Sequence, residues 1–342
     1  MKKTLIALAT VASLVTVSGT AFAQATISGF MAFGYGGATK GKTATGAVSV
    51  PVLATTSTGG LGLDTAEIYI TASEDMGGGM KAGGTMGLGG MARGAGFYGT
   101  NYTMYVSNAT GKLTLGSVKS GDYISSGLAS SGVNYYDFGD AGNFGARSSR
   151  DIIALDMPVG PVTITLTHQE GGNLVGLAGG GEGALSDAAN LISNQRLNLI
   201  GATYAAGAAK VNTQYFTLDN QVAGSESTGA NTFRLSGNYN LGVATVGAGL
   251  QKATTTYGNT ATNTGLSVAV PMGAVTLGVM MGSRLTEGSA TSAKNGTQSS
   301  SSLNVSYALS KRTGVTGQYS SWDNGVGGEK SSNTLVLLTH SF

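Results

Sequence analysis

The stretch Asn333 to Phe342, NTLVLLTHSF, decides the fold class of this chain. It is an apolar run that ends on an aromatic residue, and no helical pattern precedes it. In an outer-membrane β-barrel the final strand pairs with the first strand. Its last residue then lies at a membrane interface, where aromatic rings are favoured. The stretch therefore predicts the closing strand of such a barrel, with Phe342 as an assembly signal.

The other end of the chain has the three parts of a secretory leader. Lys2 and Lys3 precede an apolar stretch from Leu5 to Val17, and the small-residue site Ala21-Phe22-Ala23 follows. The apolar stretch is shorter than the roughly 20 residues that a membrane-spanning helix needs. The predicted division of the chain is a signal peptide at 1–23 and an outer-membrane β-barrel pore domain at 24–342.

The composition excludes other classes of protein. The 342 residues include no Cys, 57 Gly and 4 Pro, and only 11% of them are charged. From Gln24 onward no stretch has the apolar length of a membrane helix, which excludes a helical bundle. With Lys2 and Lys3 set aside, basic and acidic residues balance. Nucleic-acid binding is not predicted, because it needs a concentrated basic face.

Short segments of period-two hydrophobicity alternate with turns along the chain. In the segment 302–309 the odd positions are Leu, Val, Tyr and Leu, and the even positions are Ser, Asn, Ser and Ala. Such a strand offers one face to lipid and the other to water. Similar segments predict an all-β, antiparallel barrel of about sixteen strands, an even number as in bacterial single-chain barrels. The predicted strands are 25–36, 62–74, 80–89, 97–107, 112–119, 151–157, 161–169, 195–205, 209–218, 230–240, 243–253, 263–270, 274–283, 300–309, 313–321 and 333–342.

The connections between these strands alternate between short and long. Short turns such as Asn240-Leu241-Gly242 are predicted to face the periplasm, and the longer polar connections are predicted extracellular loops. The longest loop, at about 120–150, follows the strand 112–119. Tyrosines near strand ends are expected to form aromatic girdles at the two membrane interfaces. These are Tyr35, Tyr69, Tyr102, Tyr105, Tyr204, Tyr239, Tyr307 and Tyr319.

Three segments carry a resemblance to a known family: YALSKRT at 307–313, HSF at 340–342 and GKLTLG at 111–116. They resemble the general diffusion porins of Gram-negative bacteria, especially the β-proteobacterial type. The resemblance implies a multi-pass barrel in the outer membrane, with its third loop, here about 120–150, folded into the lumen. It also implies a homotrimer whose water-filled channels pass ions and small hydrophilic solutes without a cofactor. Implied partners are outer-membrane lipid, lipopolysaccharide and the barrel-assembly machinery, which would read Phe342.

Charged residues are the candidate site residues of such a pore. Asp122, Asp137 and Asp140 lie on the expected constriction loop, where fixed carboxylates would attract cations and repel anions. Charged residues on strands are expected to face the lumen, because Arg or Lys facing lipid at mid-bilayer costs on the order of 2–4 kcal/mol. These wall candidates are Glu67, Lys81, Lys112, Arg196, Lys210 and Arg234.

Arginines offer a further comparison with the family, whose constriction usually carries a cluster of them on the wall. The few arginines of this chain do not form an evident cluster. Arg147 and Arg150 lie near the loop and are expected to anchor it through Asp140 or Asp151. A shallow electrostatic profile or an open constriction is therefore the expectation from sequence.

Each alternative to a diffusion channel would need its own set of residues. His168 and Glu170 resemble a base and its orienting carboxylate, but no nucleophile motif such as GxSxG accompanies them. His168 is therefore expected to be a polar residue at the rim, and the chain is not predicted to be an enzyme. With two distant His and no Cys, a zinc site is not predicted. A solute-specific channel remains an alternative, as does a surface receptor or adhesin, although about sixteen strands favour an open channel.

Overall fold

The computed structural model describes residues 24–41, 56–90, 98–119, 149–171, 195–220, 231–254, 259–288, 295–323 and 326–342. Within these ranges no helix is long and apolar enough to cross a membrane. The described residues form sixteen β-strands. They are β1 (Gln24–Lys40), β2 (Thr56–Gly77), β3 (Met80–Gly89), β4 (Tyr98–Asn108), β5 (Gly111–Lys119), β6 (Ser149–Val159), β7 (Val162–Gly171), β8 (Gln195–Ala206), β9 (Ala209–Asn220), β10 (Asn231–Asn240), β11 (Thr245–Thr254), β12 (Thr260–Met272), β13 (Val275–Glu287), β14 (Gly296–Ala308), β15 (Thr313–Asp323) and β16 (Lys330–Ser341).

The strands form one closed antiparallel barrel. Each strand pairs with its neighbours in sequence, and β16 pairs with β1 to close the ring. At this closure the Gly29 amide donates to the Phe342 carbonyl at 3.0 Å, and the Phe342 amide donates to the Gly29 carbonyl at 3.1 Å. Closure leaves no sheet edge with unpaired backbone groups, as lipid requires. The sixteen-stranded barrel and its closing strand, predicted from sequence, are confirmed.

Short turns join alternate pairs of strands, beginning with β2 and β3 and ending with β14 and β15. After β10, the Asn240 side-chain oxygen accepts a bond from the Gly242 amide at 2.8 Å, and Gly242 has a φ of 86°. After β14, the Ser310 hydroxyl accepts bonds from the Arg312 and Thr313 amides at 3.1 and 3.0 Å. Asn, Ser and Gly thus complete the backbone bonding where the ladder stops. We call this side of the barrel the short-turn end.

Alternation along the strands gives the barrel two chemically distinct faces. On one face the register places Leu338 beside Val315 and Val315 beside Tyr307, and 53% of Leu338 is exposed. The opposite face of the same strands carries buried Asn304 and Gln318. A barrel in lipid is apolar outside and polar inside. The first face is therefore the outer face, and the second is the lumen wall.

Most of the tyrosines predicted for the aromatic girdles lie on the outer face. Six of the eight predicted tyrosines are exposed on the outer face: Tyr35, Tyr102, Tyr204, Tyr239, Tyr307 and Tyr319. Tyr69 and Tyr105 face the lumen instead, so their assignment to the girdles is wrong. Tyr69 lies between outward Ile68 and Ile70, and Tyr105 lies between two exposed residues of β4. Their position within the alternation, and not their distance from a strand end, determines the face.

Candidate functional site in the barrel lumen

The expected constriction loop lies almost entirely outside the described residues. Asp122, Asp137, Asp140 and Arg147 fall between β5 and β6, where the described chain stops at Lys119 and resumes at Ser149. Arg150 is described, on the lumen wall of β6 and opposite Val118 of β5. Its role in anchoring the loop remains a prediction. The described part of the candidate site is therefore the lumen wall.

Most of the predicted wall charges are on the lumen wall. Register and alternation place five of the six there: Glu67, Lys81, Lys112, Lys210 and Arg234. Arg196 is on the outer face, in line with Ile200, which is 54% exposed. The expectation that Arg196 faces inward is wrong. Arg196 is the second residue of β8, away from the short-turn end, and near an interface a lipid-facing Arg costs only about 0–1 kcal/mol.

Arg196 belongs to a polar network on the outer face of β7 and β8. Its Nε lies 3.4 Å from the Glu170 Oε1 atom, which lies 3.2 Å from the His168 Nε2 atom. The other ring nitrogen of His168 lies 2.8 Å from the Asn198 side-chain oxygen. These partners of His168 are an amide oxygen and a carboxylate, and neither is a Ser, Thr or Cys group of the kind that a histidine base activates. This arrangement fits the polar rim residue expected from the sequence.

Two lysines lie near the short-turn end of the lumen wall. Lys81 of β3 and Lys112 of β5 are the register partners of the same residue, Ser107 of β4. The Lys112 Nζ atom lies 4.5 Å from the centroid of the Tyr105 ring, a cation–π distance. The next partner in this row, Asp156 of β6, accepts a 2.6 Å hydrogen bond from the Thr165 hydroxyl. At the other end of the row, Asp75 of β2 is the register partner of Lys81. The row thus has one lysine on each side of the Ser107 hydroxyl and one carboxylate beyond each lysine.

The lumen tyrosines lie flat along the wall. A Cβ atom added to Gly87 would stand 2.9 Å from the Tyr69 ring, and one added to Gly83 would stand 2.8 Å from the Tyr105 ring. Each ring therefore covers a glycine on the neighbouring strand and does not project across the channel. The Tyr69 hydroxyl donates to the Glu67 carboxylate. This bond holds the acidic side chain of the wall in place.

A longer row of polar side chains crosses the lumen wall from β9 to β14. The row consists of four amide side chains and two arginines, with one residue from each strand. Each member is the register partner of the next. We call it the amide–guanidinium band, and its members are Gln214, Arg234, Gln251, Asn263, Arg284 and Gln298. The Arg234 Nε donates to the Gln251 side-chain oxygen, and the Arg234 guanidinium lies 4.7 Å from the Phe216 ring centroid.

Arg284 is a wall residue that the sequence analysis missed. The predicted strand ended at residue 283, which left Arg284 in a loop, whereas β13 continues to Glu287. The signal was present in the sequence, because Leu277, Val279 and Met281 continue in alternation to Leu285 and leave Arg284 on the inner face. The chain therefore has two wall arginines at one level, in contrast to the expectation of no evident cluster.

A neutral network covers the lumen wall of β14 and β15. The Asn304 Nδ2 donates to the Ser302 hydroxyl at 3.1 Å, and the Gln318 Nε2 donates to the Ser320 hydroxyl at 2.8 Å. The Ser320 hydroxyl in turn donates to the Ser302 hydroxyl at 3.0 Å, which joins the two strands. This part of the wall is polar without carrying charge.

The described wall has more basic than acidic side chains. Register places six basic residues on it: Lys81, Lys112, Arg150, Lys210, Arg234 and Arg284. It places three acidic residues there, Glu67, Asp75 and Asp156. Asp75, which also accepts a hydrogen bond from the Gly77 amide, is the register partner of Lys81 and lies on the same face at the short-turn end, whereas Asp64 sits at the bulge of β2. Fixed positive charge of this kind attracts anions into a channel.

Comparison with known proteins identifies relatives of this barrel. Residues 9–326 match a family model described as Gram-negative porin. Among solved structures, an anion-selective porin from Comamonas acidovorans is similar with a TM-score of 0.66 at 17% identity, covering 94% of this chain and 100% of that one. The trimer form of OmpT from Vibrio cholerae has a TM-score of 0.66 at 11% identity, with 94% and 99% of the two chains covered. An engineered Rh. blastica porin has a TM-score of 0.59 at 15% identity, with 93% and 100% covered. No curated protein matches the chain significantly.

Proposed function

This chain belongs to the Gram-negative porin family and forms a diffusion channel in the outer membrane, and from that premise we propose that the channel prefers anions. The observation that carries the proposal is the excess of basic side chains on the described lumen wall. A low-dielectric wall of one sign raises the local concentration of counter-ions, which here are anions. The similar Comamonas acidovorans porin is itself described as anion-selective.

The roles of individual charges belong to the same proposal. Lys81, Lys112 and Lys210 favour anions near the short-turn end, and Arg234 does so within the amide–guanidinium band. Glu67, Asp75 and Asp156 oppose them locally. Asp122, Asp137 and Asp140 of the loop at about 120–150 would reduce the preference where the passage is narrowest, and Arg147 and Arg150 would anchor that loop.

Assembly and targeting complete the proposal. The chain forms a homotrimer, a state supported by the trimer form of the similar Vibrio cholerae protein. Residues 1–23 act as a signal peptide, and Phe342 is read by the barrel-assembly machinery. Outer-membrane lipid and lipopolysaccharide surround the barrel. The chain acts as a passive channel and not as an enzyme, as the family and the partners of His168 favour.

Planar-bilayer recording tests the proposed function. Refolded protein is added to one side of the bilayer, single-channel steps are counted, and the reversal potential is measured across a KCl gradient. We expect conductance steps in groups of three and a reversal potential with the sign of chloride selectivity. The opposite sign would show that the loop carboxylates outweigh the wall. Inserted protein without conductance would favour a plugged barrel or a surface receptor.

A further inference from the structure

We propose that Lys81 and Lys112, at the short-turn end of the lumen wall, together bind inorganic phosphate and phosphate monoesters. The inference deepens the anion preference proposed above and rests on it. The two lysines, which we call the lysine pair, are the second residues of β3 and β5, and Ser107 of β4 is the register partner of both. Two strand spacings separate their backbones, which is roughly 10 Å. Flexible four-carbon stems let both ammonium groups reach an anion above Ser107.

The lysine pair is accessible from the lumen. Both lysines are exposed, and Ser107 between them is partly exposed. Among the residues that the structure describes, neither ammonium group takes part in an ion pair. Two like charges on one row repel each other, and an anion between them offsets that repulsion. The pair therefore offers an open site for an anion.

The two carboxylates of this row are bonded elsewhere. An Asp75 oxygen accepts a 2.9 Å hydrogen bond from the Gly77 amide, and an Asp156 oxygen accepts a 2.6 Å hydrogen bond from the Thr165 hydroxyl of β7. Both carboxylates also lie two strand spacings from Ser107, roughly 10 Å, whereas each lysine lies one spacing from it, roughly 5 Å. The nearer lysines therefore determine the field above Ser107, because more distant charges are screened more strongly.

The Lys112 side chain extends from β5 towards Lys81. Its Nζ atom lies over the Tyr105 ring of β4, 4.5 Å from the ring centroid. That ring covers Gly83 of β3, where an added Cβ atom would stand 2.8 Å from it. Gly83 is two residues from Lys81 on the same face of β3. The cation–π contact thus holds the Lys112 ammonium group above the strands that separate the two lysines, which lowers the cost of ordering it around a ligand.

The groups of the site match a doubly charged oxyanion. Each ammonium group has three donors and no acceptor, and the Ser107 hydroxyl adds one donor. A phosphate group carries nearly two charges and several strong acceptor oxygens, so it can bond to both lysines and to the hydroxyl at once. Chloride or a carboxylate carries one charge and neutralises only one lysine. The pair should therefore select phosphate groups over monovalent anions.

Reduction of the chloride current by inorganic phosphate is the first test. Refolded protein in a planar bilayer is titrated with phosphate at about pH 8, where phosphate carries two charges, and at a constant ionic strength of about 0.1 M. Acetate, an oxyanion with one charge, is the matched probe. We expect saturable reduction of the single-channel current by phosphate, with half-saturation at a concentration about tenfold lower than for acetate.

Three variants assign the effect to the lysine pair. Lys81→Gln and Lys112→Gln should each raise the half-saturating phosphate concentration about tenfold or more. Lys210→Gln is the matched control, because Lys210 is also the exposed second residue of its strand on the lumen wall, but its register partners Ala205 and Asn238 are uncharged. It should weaken chloride preference, as the other two do, and change the phosphate concentration by less than about twofold.

A second measurement detects binding without conduction. The ³¹P resonance of inorganic phosphate is recorded with the refolded barrel in a phosphorus-free detergent, and its line width is compared between variants. We expect broadening with wild type and Lys210→Gln, and its loss with Lys81→Gln and Lys112→Gln. The heat-dependent gel shift of each variant confirms that the barrel has folded.

The outcomes separate the lysine pair from the anion preference of the channel. If wild-type channels prefer chloride but phosphate acts no better than acetate, the site is refuted and the anion preference stands. Equal phosphate responses in wild type, Lys81→Gln and Lys112→Gln would also refute the site, as would an equal loss in Lys210→Gln, which would assign the effect to the total charge of the wall. Phosphate broadening that needs both lysines, in a channel that prefers cations or does not conduct, would support the site and refute the anion preference.

Discussion

Single residues decide how the barrel closes. A Cβ atom added to Gly29 would lie 2.2 Å from the Cζ atom of the Phe342 ring. The ring therefore covers the glycine of β1, while the backbones of the two residues exchange two hydrogen bonds. Phe342 is still 43% exposed, as an interfacial aromatic residue should be. Gly29 provides the space that this ring needs, which the sequence analysis did not identify.

Gly29→Ala should therefore weaken closure. The added methyl group must displace the Phe342 ring or shift the strand, which we expect to lower barrel stability by about 1–3 kcal/mol. Deletion of Phe342 should reduce the outer-membrane yield further. The measurement is the amount of folded, heat-modifiable barrel in outer-membrane fractions.

Gly60→Ala is the matched control for Gly29→Ala. A Cβ atom at Gly60 has no heavy atom within 4 Å, so this variant should give the wild-type yield. Wild-type yield for both Gly29→Ala and the Phe342 deletion would show that neither the ring nor its glycine directs assembly.

At the scale of the strand, alternation explains what the sequence could predict. Where apolar residues occupy every second position, as in β14, the pattern gave the strand and both of its faces. In β8, Leu197 and Leu199 pack in the lumen with Phe216, while the adjacent Ile200 faces outward. Apolar residues therefore occupy both faces of β8, which is why Arg196 was placed on the wrong one. The polarity of neighbouring residues cannot assign the two faces of a strand where the lumen contains a small apolar cluster.

The positions of strand ends were the second limit of the sequence analysis. β13 extends four residues beyond its predicted end at 283, and this extension contains Arg284. Beyond the apolar band the outer face no longer needs to be hydrophobic, so the pattern fades before the backbone ladder stops. The amide–guanidinium band of the lumen wall depends on the register of six strands, β9 to β14. No single segment of sequence carries that information.

The two faces of the strand predict different effects of the same substitution. Arg234→Gln removes a cation from the lumen wall and should shift the reversal potential towards that of a cation-preferring channel. Arg196→Gln removes a cation from the outer face and should leave the reversal potential unchanged. The comparison is made on folded trimers in the same KCl gradient. A larger shift for Arg196→Gln than for Arg234→Gln would contradict the assignment of the faces.

The turns make a separate prediction at this scale. Gly242→Ala places a side chain at a residue with a φ of 86° and should destabilise the barrel by about 1 kcal/mol. Gly317→Ala makes the same chemical change within β15, where the closest heavy atom that a Cβ would meet lies at 4.0 Å. The midpoint of unfolding in guanidinium chloride should fall for Gly242→Ala only. Equal midpoints for the two variants would show that this turn does not limit stability.

At the scale of the whole molecule, the lumen wall is divided by charge. Two lysines flank Ser107 near the short-turn end, two arginines lie in the band across β10 to β13, and β14 and β15 carry a neutral hydroxyl and amide network. A channel of sixteen strands is wide enough to hold water, so these charges act on ions mainly through solvent. Such interactions are screened by salt.

Anion preference should therefore depend on ionic strength. The Debye length is about 10 Å at 0.1 M salt and about 3 Å at 1 M, so wall charges reach across the lumen only in dilute solution. We expect the reversal potential, measured at a constant tenfold KCl ratio, to approach that of a non-selective channel as the mean concentration rises. Lys81→Gln combined with Lys112→Gln should weaken the preference at low salt and have little effect at high salt. A preference that persists unchanged at 1 M would mean that anions are selected by close contact with side chains and not by the field of the wall.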